Sequence, residues 1–161
     1  MRLSNKIQFQ LIKFATGNGY EIVIPNFYFG RWEMDLFRLT NSDIIYEYEI
    51  KISRSDYFAD FKKCFGEETK HSRFLNGSCD CNKFFFVVPK DLISIEEVPN
   101  YAGLIYYSNE WFSVIKNAPL IKKKSDINFR SLAKSLAFRE QIIRQKSNYW
   151  KFKFENTNKQ R

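Results

Sequence analysis

The run KFFFVVP, from Lys83 to Pro89, sets five apolar residues in succession, with no polar position at which a strand could face water. A continuous apolar strand of this kind is buried on both faces, so structure must pack above and below it. The chain around it mixes helical and extended patterns. The reading is an α/β fold, a mixed central β-sheet flanked by helices.

Ser4 reads as the cap of a first helix in which Ile7, Leu11, Phe14 and Ala15 recur at helical spacing and which stops at Gly17-Asn18-Gly19. YEIVIPN then reads as a short strand ended by Pro25. From Arg31 to Ile52 the period falls to two, giving an antiparallel hairpin that turns at Thr40-Asn41-Ser42-Asp43. Ser55 is the expected cap of an amphipathic helix with Tyr57, Phe58, Phe61 and Cys64 on one stripe, ended by Gly66. A short helix is expected around Thr69–Asn76. Gly103–Tyr107 and Trp111–Ile115 form a second hairpin through Ser108-Asn109-Glu110. A long helix follows from about Asp126 to Lys146. The last segment, YWKFKFENTNKQR, alternates Trp150, Phe152 and Phe154 with Lys151, Lys153 and Glu155. Its period of two fits an added edge strand, while aromatics interleaved with lysines also suit stacking on exposed bases or pairing with a protein partner.

At 161 residues, the chain is most economically one domain, 1–161, with a basic C-terminal helix and tail from about 116. No apolar run approaches the roughly 20 residues that span a bilayer, and MRLSNKIQFQ lacks the apolar stretch of a signal peptide, so a cytoplasmic protein without a membrane partner is expected. Three cysteines, an odd number, suit a reducing compartment. Cys64, Cys79, Cys81 and His71 have the atoms for a zinc site, but the C-x-C pair is tighter than zinc spacing favours and no second pair exists.

Charge is unevenly placed. Residues 1–115 carry 13 Lys and Arg against 15 Asp and Glu, and residues 116–161 carry 13 against 3, which makes −2 and +10 of the net +8. Such a basic end is either a solvated helix or a surface for a polyanion, where Arg130 and Lys134 are candidate nucleic-acid contacts.

The segment YEYEIKI puts Glu47, Glu49 and Lys51 on one face of a strand, and Asp35 lies with Glu33 on the preceding strand of the same hairpin. If those strands are neighbours, Asp35 and Glu49 can converge as two carboxylates for a hard cation, with Lys51 reaching the same space to assist a water or stabilise a phosphoryl group. An E-x-K triplet is by itself common, and on a surface strand it is a solvated charge pair. Glu33 and Glu47 read as spare ligands or exposed strand carboxylates.

Asp35, then Glu49-Ile50-Lys51 on the next strand, then a helix, resembles the D…(D/E)-x-K signature of the PD-(D/E)XK nuclease superfamily. The likeness is closest to the MmcB-like DNA-repair proteins. It runs through EIKISRSDYFAD from Glu49 to Asp60, KHSRF from Lys70 to Phe74, NKFFFVVP from Asn82 to Pro89 and YAGLIYY from Tyr101 to Tyr107. The resemblance implies a restriction-endonuclease-like core and a Mg²⁺-dependent deoxyribonuclease, with Mn²⁺ as a substitute and no small-molecule cofactor. In it Asp35 and Glu49 bind the metal, the Ile50 carbonyl is a third ligand and Lys51 is the catalytic lysine. Many members add a glutamate from the first helix, where this chain has Asn5 and Gln8. DNA is the implied partner and repair or processing the implied role, with homodimerisation left open. Arg54, Lys70 and His71, within the resembling blocks, are candidate phosphate contacts; Arg54 and Asp56 also have structural readings as an ion-pair partner and a helix-start charge. The competing expectations are a binding module on the same scaffold without useful turnover, and an interaction protein working through its terminal edge strand.

Overall fold

The computed structural model describes residues 2–17, 21–29, 32–123 and 128–158, with backbone alone at 131 and 150–158. Two compact units are present, 1–126 and 127–161. The first contains helix α1 (Leu3–Thr16), strands β1 (Ile22–Phe29), β2 (Trp32–Leu39) and β3 (Ile45–Ile50), and helix α2 (Arg54–Asp60). A minute hairpin of β4 (Cys64–Phe65) and β5 (Glu68–Thr69) leads into helix α3 (Lys70–Leu75). Strand β6 (Lys83–Pro89), a 3-10 turn at Ile95–Glu97, and strands β7 (Ala102–Ser108) and β8 (Trp111–Lys116) complete it. The second unit is one helix, α4 (Phe129–Asn158). No helix among the described residues is long and apolar enough to cross a membrane.

The six long strands form one sheet in the order β1-β2-β3-β6-β7-β8. Its centre is parallel, β3 with β6 and β6 with β7, and the outer pairs are antiparallel, so the sheet is mixed. The apolar run of β6 lies at that centre and is buried from Phe84 to Val88. Alternate β6 side chains serve the two layers. Ile7, Leu11 and Ala15 of α1 pack with Leu36, Tyr48, Phe85, Val87 and Ile105 on one face. On the other face Tyr57 and Phe61 reach the Phe86 ring, and His71 and Phe74 of α3 reach Phe84, with Phe74 and Phe84 centroids 4.4 Å apart.

Gly103 lets β7 approach Phe85 and the Ala118 segment: a Cβ there would press into the Phe85 ring and stand 2.7 Å from the Ala118 nitrogen.

Several local expectations are corrected. Pro25 does not end β1 but lies inside it. This is tolerable because β1 is an edge strand, where a missing N–H need not break a ladder. The cap of α2 is Ser53, whose hydroxyl accepts the Asp56 N–H at 3.2 Å, and Ser55 falls within the first turn. That helix stops at Asp60 rather than at Gly66, which turns the β4–β5 hairpin with φ of 65°. Helix α1 is preceded by Arg2 as its cap residue, without a side-chain cap, so Ser4 lies inside the helix. The terminal YWKFKFENT is not an edge strand: α4 continues through it. No Gly or Pro interrupts residues 129–158, and extending an existing helix costs less than nucleating a new element. The side chains of Trp150, Phe152 and Phe154 lie outside the described residues.

Candidate active site

The β2–β3 ladder runs from Leu39–Ile45 to Leu36–Tyr48 and then stops. Beyond it the two strands part, and the Asp35 carboxylate bridges the gap: Oδ2 accepts the Ile50 N–H at 2.7 Å. On the other side, Lys51 N–H continues the pairing of β3 with β6 by donating to the Val87 carbonyl at 3.0 Å. A strand residue's N–H and C=O point to the same side, so the Ile50 carbonyl also points into the gap beside Asp35. From α1, the Gln8 amide donates to the Asp35 carbonyl at 2.8 Å and to Asn26 Oδ1 at 2.7 Å. Asn26, with φ of 48°, lies beside them within β1, between the Pro25–Leu36 and Phe27–Met34 pairs.

This parting of strands opens a cleft of about 340 Å³ lined by Asp35, Glu49, Ile50, Lys51, Lys63 and Asp56, with Ser4, Asn5, Gln8 and Asn26 on the α1 side. The four residues expected to form the centre, Asp35, Glu49, Ile50 and Lys51, therefore meet at one place.

Behind the cleft is a buried ionic network. Lys51 Nζ lies 3.0 Å from Glu49 Oε2 and 2.6 Å from Asp60 Oδ1. Lys70 Nζ contacts the other Glu49 oxygen and lies 2.7 Å from Glu47 Oε1. Asp60 Oδ2 meets His71 Nε2 at 2.8 Å, and His71 Nδ1 meets the Tyr101 hydroxyl at 2.6 Å. Lys63 reaches in from the solvent side, 2.6 Å from Asp60 Oδ1 and 3.6 Å from Glu49 Oε2. Burying so many charges is tolerable only because each meets an opposite one.

The electrostatics separate the two candidate ligands. Burial and, after it, the charge of Glu49 push the Asp35 carboxyl up to about 6, only partly opposed by the Ile50 N–H and the ammonium groups of Lys51 and Lys63. Burial also works against ionisation of Glu49, but the ammonium groups of Lys70, Lys51 and Lys63 outweigh it and hold its carboxyl below the usual glutamate value. Burial disfavours the charged form of Lys51, yet Glu49 and Asp60 more than compensate and raise it above an ordinary lysine. Lys51 is therefore a fixed cation.

Two carboxylates that raise each other's cost of ionisation, at an open cleft with a backbone carbonyl between them, fit a divalent cation. Among the described residues, no group of three or more His, Cys, Asp or Glu side chains could hold a metal ion; the oxygens at this cleft that could serve one are those of Asp35, Glu49 and the Ile50 carbonyl.

The other expected site residues are scattered. Lys70 and His71, expected to touch phosphate, are 2% and 5% exposed and committed to Glu47, Glu49 and Asp60, which corrects that reading. Arg54 is exposed but holds Glu97 in a two-pronged pair and donates to the Leu92 carbonyl at 3.1 Å, which bears out its structural role. Glu47 is buried, not an exposed strand carboxylate, whereas Glu33 is exposed. Arg130 and Lys134 are exposed on α4, one helical turn apart. Sequence reasoning missed the ionic parts of Asp60 and Lys63. Their i,i+3 spacing at the end of α2 was the available signal.

No family model and no curated protein matches the chain. A solved structure from Silicibacter pomeroyi, described as SPO1766 protein of unknown function, matches with a TM-score of 0.64 at 17% identity, covering 91% of this chain and 94% of that one. At that identity the likeness is one of fold. It accords with an α/β chain built on a mixed six-stranded sheet flanked by helices.

Proposed function

We propose that this chain is a metal-dependent DNA nuclease of the PD-(D/E)XK kind, hydrolysing phosphodiester bonds in cytoplasmic DNA repair or processing. The observation that carries the reading is the meeting of Asp35, Glu49 and Lys51 at the cleft where β2 and β3 part. Asp35, Glu49 and the Ile50 carbonyl would hold Mg²⁺ or Mn²⁺. Such an ion, when bound, supplies Lewis acidity and makes water more acidic. Lys51 keeps its charge because Glu49 and Asp60 hold it, so it acts as an electrostatic stabiliser of a phosphoryl group under attack and not as a proton acceptor. Gln8 fixes the Asp35 backbone from α1, and the Ile50 N–H fixes its side chain. The basic α4, with Arg130 and Lys134, adds an attraction for the nucleic-acid backbone that carries no sequence preference.

One observation favours a second reading, a nucleic-acid-binding module without useful turnover. Both Glu49 oxygens are already met by ammonium groups, Oε1 by Lys70 and Oε2 by Lys51. Incubating labelled duplex, single-stranded and flap DNA with Mg²⁺, Mn²⁺ or EDTA separates the two. Cleavage that needs the ion and disappears in Asp35→Ala supports the nuclease; salt-sensitive binding that survives Asp35→Ala, with no product from either protein, supports the module.

A further inference from the structure

Three lysines converge on the buried carboxylates, and they are not alike. Lys51 and Lys70 are enclosed, with side chains 4% and 2% exposed, whereas that of Lys63 is 42% exposed and lines the cleft. Its backbone is well fixed. The Lys63 N–H donates to the Asp60 carbonyl at 3.1 Å, and the Lys63 carbonyl accepts the Lys70 N–H at 2.8 Å. The root of the side chain is therefore held while its tip is in reach of solvent.

Both partners of Lys63 keep other partners without it. Asp60 retains Lys51 at 2.6 Å and His71 at 2.8 Å, and Glu49 retains Lys51 and Lys70. Departure of Lys63 leaves no carboxylate abandoned, and unlike the enclosed Lys51 its tip already reaches solvent, whereas loss of Lys70 would strip Glu47 of the cation that touches it.

Charge balance gives the departure a cause. Apart from Asp56 at the exposed rim, four carboxylates (Asp35, Glu47, Glu49, Asp60) face three lysines (Lys51, Lys63, Lys70), one negative charge in excess. A divalent cation beside Asp35 and Glu49 turns this into one positive charge in excess and repels the ammonium 3.6 Å from Glu49 Oε2. One phosphodiester, with its single negative charge, restores neutrality.

We propose that Lys63 is a phosphodiester-binding side chain, whose ammonium leaves Asp60 and Glu49 for a non-bridging oxygen of the DNA backbone when a divalent cation occupies the Asp35–Glu49 end of the cleft. This rests on the metal-dependent reading above and adds to it a substrate contact. Lys63 is thereby both a competitor of the metal and a partner of the substrate.

The test uses the full chain and two variants, Lys63→Met and Lys63→Arg, the latter keeping the charge. Mn²⁺ uptake is measured by calorimetry without DNA, and binding of a fluorescein-labelled duplex by anisotropy in Ca²⁺ or in EDTA over a range of salt. Lys63→Met is expected to take up Mn²⁺ several-fold more tightly than wild type, since a competing cation is gone. In Ca²⁺ it is expected to bind DNA about tenfold more weakly, with a salt slope lower by about 1, and in EDTA to bind nearly as wild type does. Lys63→Arg restores DNA binding. If wild type takes up Mn²⁺ but Lys63→Met binds DNA in Ca²⁺ with unchanged affinity and slope, the Lys63 assignment is overturned and the metal site stands. Equal losses in Ca²⁺ and EDTA overturn the exchange. No Mn²⁺ uptake by wild type overturns the metal-dependent reading and, with it, this one.

Discussion

Replacing Lys70 by methionine keeps most of the side-chain volume and deletes the ammonium at the heart of the ionic network. Lys70 is 2% exposed, its Nζ lies 2.7 Å from Glu47 Oε1, and it contacts Glu49 Oε1. Glu49 keeps Lys51 after the change, but Glu47 is itself 3% exposed and loses the ammonium it touches. Burial already pushes the Glu47 carboxyl above the usual glutamate range even with Lys70 present. Removing one partner of a buried pair costs about 3–5 kcal/mol, because an uncompensated charge remains. For a chain of this size, each kcal/mol moves Tm by roughly 3 °C, so Lys70→Met should melt about 10–15 °C below wild type in EDTA. Urea titration followed by far-UV circular dichroism gives the free energy directly. The companion variant, Lys70→Met with Glu47→Met, removes both charges of that pair and should recover most of the loss, since well-packed apolar replacements of a buried pair are close to neutral. A loss below about 1 kcal/mol in the single variant, or a double variant as unstable as the single one, would refute the buried pairing of Lys70 with Glu47.

Asp35→Asn gives a result with a defined sign in pH. The folded-state value of about 6 lies above the ordinary 3.8, so the fold favours the protonated acid. That contribution is complete below about pH 4 and is lost as pH rises through 6, where ionised Asp35 costs about 3 kcal/mol. In EDTA the Asn variant should therefore be more stable than wild type at pH 8, with the gain vanishing toward pH 4 in a series of thermal melts, while Mn²⁺ should stabilise wild type alone. Gly103→Ala places a methyl group against the Phe85 ring and 2.7 Å from the Ala118 nitrogen, and should cost about 1–3 kcal/mol in urea. Exchanging both Arg130 and Lys134 for alanine should weaken binding to DNA of any sequence about equally and reduce its salt slope by about 2, read by anisotropy.

The elements that local pattern alone determines were legible in the sequence. KFFFVVP lacks a polar face and is the central strand, and the alternation on either side of Thr40-Asn41-Ser42-Asp43 is the β2–β3 hairpin that brings Asp35 to Glu49. Thr69 and Asn76 were legible as the ends of α3 because one is a good cap and the other tolerates the terminus. Buried charge was not legible. Lys70 and His71 at the start of a short helix look like surface groups until the fold shows Glu47, Glu49 and Asp60, 11 to 23 residues from the partners they meet, closing around them. Pro25 misled because a proline's effect depends on whether its strand is an edge, which is a property of the assembled sheet. The terminal alternation misled because a period of two says nothing about whether a partner strand exists, and the preceding helix had no residue to stop it.

Metal-dependent cleavage is the central claim, and Lys51 is the residue that separates chemistry from binding. Wild type and Lys51→Met should be compared on one labelled duplex in Mn²⁺, with Mn²⁺ uptake of both proteins recorded alongside. The nuclease reading requires that both take up the ion, that wild type cuts the duplex, and that the variant's rate falls at least a hundredfold. Wild type and variant that bind Mn²⁺ and DNA yet leave the duplex equally intact would contradict it.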